Sequence, residues 1–302
     1  MYKKLEWLAF ILFLQFSFAG TNINISKFYH ISNVDNYQQV SMNVTNSLGH
    51  EYSIMTHRWT KGSSRLMVMA HGYIDNCGYV KPLQRFFLNS GFDILCIELP
   101  GHGLSSGDRA DVDDFITYKD IYKHVFQRLP QGYDENYFYG HSTGAVGMLD
   151  LLLAHEPHPF EKIILAAPLV RSHLWSLSKF GMKYFGFLIK RLPTRRLSLH
   201  DREYKELLQI DPTLIKSTPK SWFPKLVNWN KGLVEKDNRS SEDVITIFAG
   251  KDSVIDQKYN EKFYRKTFSN LKVFNIPNSD HAFHYESETN KKIFYSILNS
   301  IL

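Results

Sequence analysis

Residues 140–144 read Gly-His-Ser-Thr-Gly, after the apolar run 136–139 and at the start of the helix-like segment 145–154. A strand that turns into a helix within a few residues forces the middle residue into tight, strained backbone. Glycines on either side remove the Cβ atoms that would clash there. Ser142 is thereby held out at a sheet edge as a candidate nucleophile. A serine hydroxyl near neutral pH needs a base beside it and a third group to orient that base. Residues 243–249 (DVITIFA) form a buried-strand pattern that ends at Gly250-Lys251-Asp252, which puts Asp252 in a loop at a strand end, where a carboxylate suits the orienting role. Residues 271–276 alternate as a short strand, Pro277 stops it, and Asn278-Ser279-Asp280-His281 forms a polar loop that offers His281 as the base. Upstream, the apolar strand 66–70 runs into His71-Gly72-Tyr73. Attack on an ester builds an oxyanion that needs preorganised N–H donors, and the amides of Tyr73 and Thr143 stand where such donors are expected.

Each residue has a plainer reading. Ser142 could be an ordinary helix N-cap. Asp256 competes with Asp252 for the acid, but it also suits the cap of a helix beginning near Gln257, and Asp252 stands closer to the strand end. His284 competes with His281 on the same grounds. His141 adjoins the serine yet should point away across the elbow into a packing role, and His71 is read as supporting its loop. With no H-E-x-x-H and no paired Cys spacing, neither a metal nor a cofactor is expected.

These residues must be positioned by a sheet. Residues 38–45 and 51–60 alternate polar and apolar around 46–49, a hairpin at a sheet edge. Beyond it, short apolar strands at 66–70, 92–99, 136–139, 162–166, 244–249 and 271–276 are separated by helix-length segments. That alternation implies an α/β fold with a mostly parallel, doubly wound sheet covered on both faces. Phe115, Tyr118, Ile121, Tyr122, Val125, Phe126 and Leu129 fall at helical spacing, with Asp113 or Asp114 as a cap. A nucleophile, acid and base in that chain order, each after its own strand, is the order of a triad on an α/β-hydrolase sheet.

The rhythm breaks over 168–240, too long for a simple crossover. An inserted helical cap explains it, leaving 20–167 and 241–302 as the core. The cap holds 15 Lys and Arg against 6 Asp and Glu, a net of +9, whereas the whole chain of 302 residues carries +6. Trp175, Phe180, Tyr184, Phe185, Phe187, Trp222, Phe223 and Trp229 interleave there with Lys179, Lys183, Lys190, Arg191, Arg195 and Arg196. Basic and aromatic residues together suit a lipid surface or a small amphiphilic substrate. The alternative is that the aromatics pack the cap onto the core with lysines solvated outside. Without a nucleic-acid motif, nucleic acid is not an expected partner.

Residues 1–19 stand apart: Lys3 and Lys4 give a positive start, 5–18 are apolar, and Ser17 and Ala19 offer small residues for cleavage. The expectation is a signal peptide, or an uncleaved anchor, on an exported periplasmic or secreted protein that is membrane-associated if the anchor stays. Only Cys77 and Cys96 occur. Export permits a disulfide without implying one, and the preferred reading is two unpaired cysteines with Cys96 a small buried hydrophobe.

His71-Gly72, then residues 98–107 (ELPGHGLSSG), then GHSTG with Asp252 and His281, resemble the α/β-hydrolase branch of lysophospholipases, monoacylglycerol lipases and serine aminopeptidase-like hydrolases. The likeness runs from about residue 50 to the end, apart from most of the cap. It implies Ser142 as nucleophile, Asp252 as acid, His281 as base, and Tyr73 and Thr143 as oxyanion donors. The P-G-H-G-x-S loop is expected to serve structure rather than catalysis. Two positions depart from the monoacylglycerol lipases: Asp75-Asn76 stand where that group usually has Glu-His, and Thr143 where it commonly has Met. The activity implied is hydrolysis of a carboxylic ester, the acyl ester of a lysophospholipid or monoacylglycerol. A peptidase acting on free N-termini, and a catalytically silent lipid-binding fold, are the alternatives.

Overall fold

The computed structural model describes residues 25, 27–32, 34, 36–194, 201–235 and 239–302, so residues 1–19, where a leader is expected, and Arg195 and Arg196 lie outside the described residues. The expected hairpin forms from β1 (Asn36–Thr45) and β2 (Glu51–Thr60), antiparallel around a turn at residues 46–50. β3 (Arg65–Ala70), β4 (Asp93–Ile97), β5 (Glu135–His141), β6 (Lys162–Ala166), β9 (Ser240–Ala249) and β10 (Phe268–Ile276) follow. The sheet order is β1-β2-β4-β3-β5-β6-β9-β10. β2 pairs antiparallel with β4, and every pair from β4 to β10 is parallel. This is the mostly parallel sheet of an α/β-hydrolase.

Sequence and position agree strand by strand. β4 (DILCI) is buried throughout, as a central strand covered on both faces must be, whereas β1 at the edge is largely exposed. The crossovers are helical: α1 (Lys81–Asn89), α2 (Ile116–Phe126), α3 (Val146–Leu153), and, flanking β10, α7 (Gln257–Thr267) and α8 (Glu288–Ile301). α2 buries Tyr118, Ile121, Tyr122, Val125 and Phe126, and the Asp114 carboxylate accepts from the Ile116 amide at its start. Asp113 is occupied elsewhere, with Tyr52 and His50.

Between β6 and β9 the chain leaves the sheet. It forms α4 (Trp175–Phe185), α5 (Arg202–Ile210) and α6 (Trp222–Glu235), with a small antiparallel ribbon of β7 (Arg191–Pro193) and β8 (Ser217–Pro219) that the helical expectation did not include. The two readings of its aromatics each hold in part. Trp229 donates to the Asp150 carboxylate at 2.9 Å and Trp222 stacks on Tyr73 with ring centroids 4.1 Å apart, both packing onto the core. α4, by contrast, buries no residue.

The cysteines correct the sequence reading: Cys77 and Cys96 form a disulfide. β3 and β4 lie side by side and parallel, so the loop leaving β3 crosses the end of β4 and brings the two Cα atoms to 6.0 Å. That contact depends on strand order, which residue spacing does not reveal.

Candidate active site

β5 ends at His141, and Ser142 takes the left-handed conformation with φ 52° before a short 3₁₀ turn leads into α3. For a non-glycine residue this is a strained geometry, held because its surroundings leave no other path. The glycines supply the reason for the motif. A Cβ on Gly144 would lie 2.4 Å from the Ala70 carbonyl oxygen, and one on Gly140 would lie 2.8 Å from that of Gly144. Gly144 therefore lets the elbow sit hard against the end of β3, and Gly140 lets the elbow close on itself.

Asp252 follows β9. Its Oδ1 accepts from the amides of Val254 (2.8 Å) and Ile255 (2.9 Å), and its Oδ2 lies 2.8 Å from Nδ1 of His281. Asp256, the competing acid, instead caps α7 by accepting from the Tyr259 amide. His281 follows β10 and is buried against the elbow. Its carbonyl accepts from Nε2 of His141, and the two rings lie 4.8 Å apart. The structure thus brings Asp252 and His281 into a hydrogen bond, with His281 against His141, the residue before Ser142, and with Asp256 in a separate capping role.

Charge separates the three nearby histidines. Burial alone would push the His281 imidazole down, but the charge and hydrogen bond of Asp252, with Asp280 and Asp75, outweigh it and hold the ring above the ordinary histidine value. His284, the competing base, is pushed down to about 4 by burial, with no carboxylate hydrogen-bonded to it to offset that. His141 is held well below the ordinary value by burial and by its neighbours His281 and His284. Only His281 has the partner that a base oriented by a carboxylate requires.

On the other side of the elbow, His71 Nε2 accepts from the Leu99 amide at 3.1 Å, so Nδ1 carries the proton and donates to the Gly72 carbonyl at 2.8 Å. Burial holds this ring neutral, with its pKa lowered to about 4. The loop-supporting role expected of His71 is what the geometry shows. Tyr73 is next; its hydroxyl donates to the Ala110 carbonyl at 2.6 Å. Thr143 lies in the first turn of the 3₁₀ segment, where an amide has no intrahelical acceptor.

One residue that organises the site was not singled out in the sequence. The Asp280 carboxylate accepts from the amide of Ser253 (2.9 Å), its hydroxyl, and the amide of His281 (2.7 Å), stitching the acid's loop to the base's loop. Its only sequence signal was its place immediately before His281. Among the described residues, the one grouping with metal-ligand geometry is His57, Cys77 and Glu98, and the disulfide already uses the Cys77 sulfur.

Residues 62–288 match the family model described as serine aminopeptidase, S33. The mouse monoglyceride lipase is 27% identical over 169 residues, covering 52% of this chain and 55% of the mouse protein. The human one is 29% identical over 123 residues, covering 38% of each. The chain thus spans about half the length, or less, of the curated relatives it matches. Among solved structures, a soluble variant of the Saccharomyces cerevisiae monoglyceride lipase in complex with a substrate analog superposes with a TM-score of 0.67 at 16% identity, covering 89% of this chain and 95% of that one. The Paleococcus ferrophilus monoacylglycerol lipase gives 0.61 at 14% identity, covering 87% and 97%. At such identities the likeness is one of fold.

Proposed function

Because the chain belongs to the serine aminopeptidase, S33, family of α/β-hydrolases, we propose that it cleaves carboxylic esters through a Ser142–His281–Asp252 triad, acting on the acyl ester of a monoacylglycerol or lysophospholipid. The observation that carries this reading is the 2.8 Å Asp252–His281 hydrogen bond, with His281 held against His141 next to a serine at φ 52° in the chain. A proton held on Nδ1 by Asp252 leaves Nε2 as the base. His281 Nε2 takes the Ser142 proton as Oγ attacks the ester carbonyl, and the Thr143 and Tyr73 amides receive the oxyanion. His281 then protonates the departing alcohol, and water repeats the sequence to free the acid. No step calls on a metal or cofactor.

The family's name suggests a peptidase that receives a free amine, which would want an unengaged carboxylate. The inserted segment offers few. Glu203 is held by both Nη atoms of Arg85, Glu206 by Arg202, and Asp201 caps α5. Asp211 accepts from Tyr79 and Thr213. Those engagements favour the ester.

The reading extends to a partner, a lipid surface met by α4 and the chain after it. Phe187 is 77% exposed, Leu188 69% and Leu177 62%, with Lys179, Lys183 and Lys190 among them. An open groove of about 480 Å³ between α4 and α6 is lined by Phe180, Tyr184, Phe223 and Val227. Apolar side chains rimmed by cations suit an anionic bilayer face. Export of the chain, resting on residues 1–19, belongs to the same proposal.

The decisive experiment is fatty-acid release from monoacylglycerol, lysophospholipid, diacyl phospholipid and short-chain esters, beside aminoacyl amides. Ser142→Ala should fold normally and lose turnover by about 10⁶. A folded Ser142→Ala with near-normal activity would sink the triad, and turnover of aminoacyl amides alone would transfer the reading to the peptidase.

A further inference from the structure

Gly101-His102-Gly103 is the part of the P-G-H-G loop that the proposed mechanism leaves unused. We propose that His102 is a positioning residue that aims the Tyr73 amide at the oxyanion, an inference that rests on the assignment of Tyr73 as a donor.

His102 is fully buried. Its Nε2 accepts from the Ile74 amide at 3.1 Å, so its Nδ1 carries the proton and donates to the Pro100 carbonyl at 2.8 Å. Ile74 has φ 65°, an uncommon conformation for a β-branched residue, and one that persists only where the surroundings over-determine it. The His102 acceptor is one of the contacts that hold it there. Because peptide units are planar, fixing the Ile74 N–H fixes the whole plane between residues 73 and 74. His71 holds the plane before it through the Gly72 carbonyl. The Tyr73 N–H lies in the plane that His71 and the Asp75 amide hold through the Gly72 carbonyl, and His102 holds the next plane, so the backbone is fixed on both sides of the Tyr73 Cα and the N–H cannot swing by rotation about that atom.

The grip is built on rigid backbone. Gly101 and Gly103 have φ 71° and 48°. A Cβ on Gly103 would lie 2.0 Å from Glu98 Oε2, so the loop closes down on that buried carboxylate. Glu98 accepts from the Leu104 amide and from the Tyr29 hydroxyl. The His102 ring stands edge-on to the Tyr73 ring, centroids 5.4 Å apart. Within its own loop the histidine holds the Pro100 carbonyl; across to the neighbouring loop, its Nε2 holds the Ile74 amide.

The test uses His102→Phe, which keeps the ring and removes both hydrogen bonds, and His102→Gln, whose Oε1 can still accept from Ile74. On a short soluble ester, His102→Phe should lower kcat by about 10- to 100-fold, weaken a trifluoromethyl ketone analogue by a similar factor, and leave KM within about two-fold. His102→Gln should recover most of both losses. Wild-type kcat and analogue affinity in His102→Phe would overturn the proposal, as would equal losses in both variants that merely follow a lowered melting temperature. Nitrogen-15 spectra of the wild-type protein should show the His102 ring protonated at Nδ1 only, and any other tautomer overturns the geometry whatever the activity. A wild-type chain that turns over no ester, with that tautomer intact, brings down the hydrolase reading and not the hydrogen bonding.

Discussion

At the rim of the sheet, Asp252 accepts two amides and faces His281, Asp280 ties two loops together, and His71 spans from Leu99 to Gly72. Along α4 the opposite holds: no residue is buried, and Leu177, Phe180 and Tyr184 face solvent beside Lys179 and Lys183. The polar groups of Asp252, Asp280 and His71 are gripped by backbone or by a neighbouring side chain, which is what presenting charge-stabilising groups at a fixed geometry demands. The α4 surface has apolar area that the described residues leave exposed, which in water costs free energy unless something else covers it. Under the proposed function, the rim would carry the reaction and the insert would meet the substrate. α5 and α6 lie between these extremes, stitched down by Arg85–Glu203, Tyr79–Asp211 and Trp229–Asp150.

That division can be broken most forcefully at the acid. Asp252→Asn should lower kcat by about 10⁴ on every ester, long or short, whereas Asp256→Ala should remove a helix cap and cost about 1 kcal/mol of stability with little effect on kcat. Equal small effects on kcat would mean the acid is misassigned. A smaller effect, confined to the other region, is expected of Lys179→Gln with Lys183→Gln. On vesicles rich in anionic lipid the double variant should bind and turn over about tenfold less, with hydrolysis of a soluble short ester unchanged. An equal loss on the soluble ester would place α4 in the chemistry and dissolve the comparison.

The smallest effect concerns pH. A base must be neutral to act, so activity is lost as pH falls through the pKa of His281. With that value raised above the ordinary histidine's, the acid limb of kcat/KM should lie above about 6.5. Asp75 contributes to the raising, so Asp75→Asn should move the limb to lower pH. A limb below the ordinary value would contradict the arrangement of carboxylates around the ring.

Much of this was legible from residues alone, for a local reason. The strands at 66–70 and 162–166 are short runs of buried apolar residues whose period and length reflect burial on both faces, and the structure has strands over Arg65–Ala70 and Lys162–Ala166. GHSTG announces its own turn, because the glycines that allow the elbow's close approaches are inside the motif. The choice between Asp252 and Asp256 was harder, since both follow the same strand. Only the return of β10 beside β9 set His281 against the former.

From sequence by itself came the α/β architecture, the elbow and the residues at strand ends, since each depends on neighbours within a few positions. The tertiary structure alone decided which groups meet. It joined Cys77 to Cys96, set His102 Nε2 against the Ile74 amide beside Tyr73, divided the insert's aromatics into packed and exposed, and gave Asp280 its stitching role. Those contacts join segments that are apart in sequence but neighbours in a sheet whose strand order is not the chain order, and hydrogen bonds and disulfides form only at contact distance.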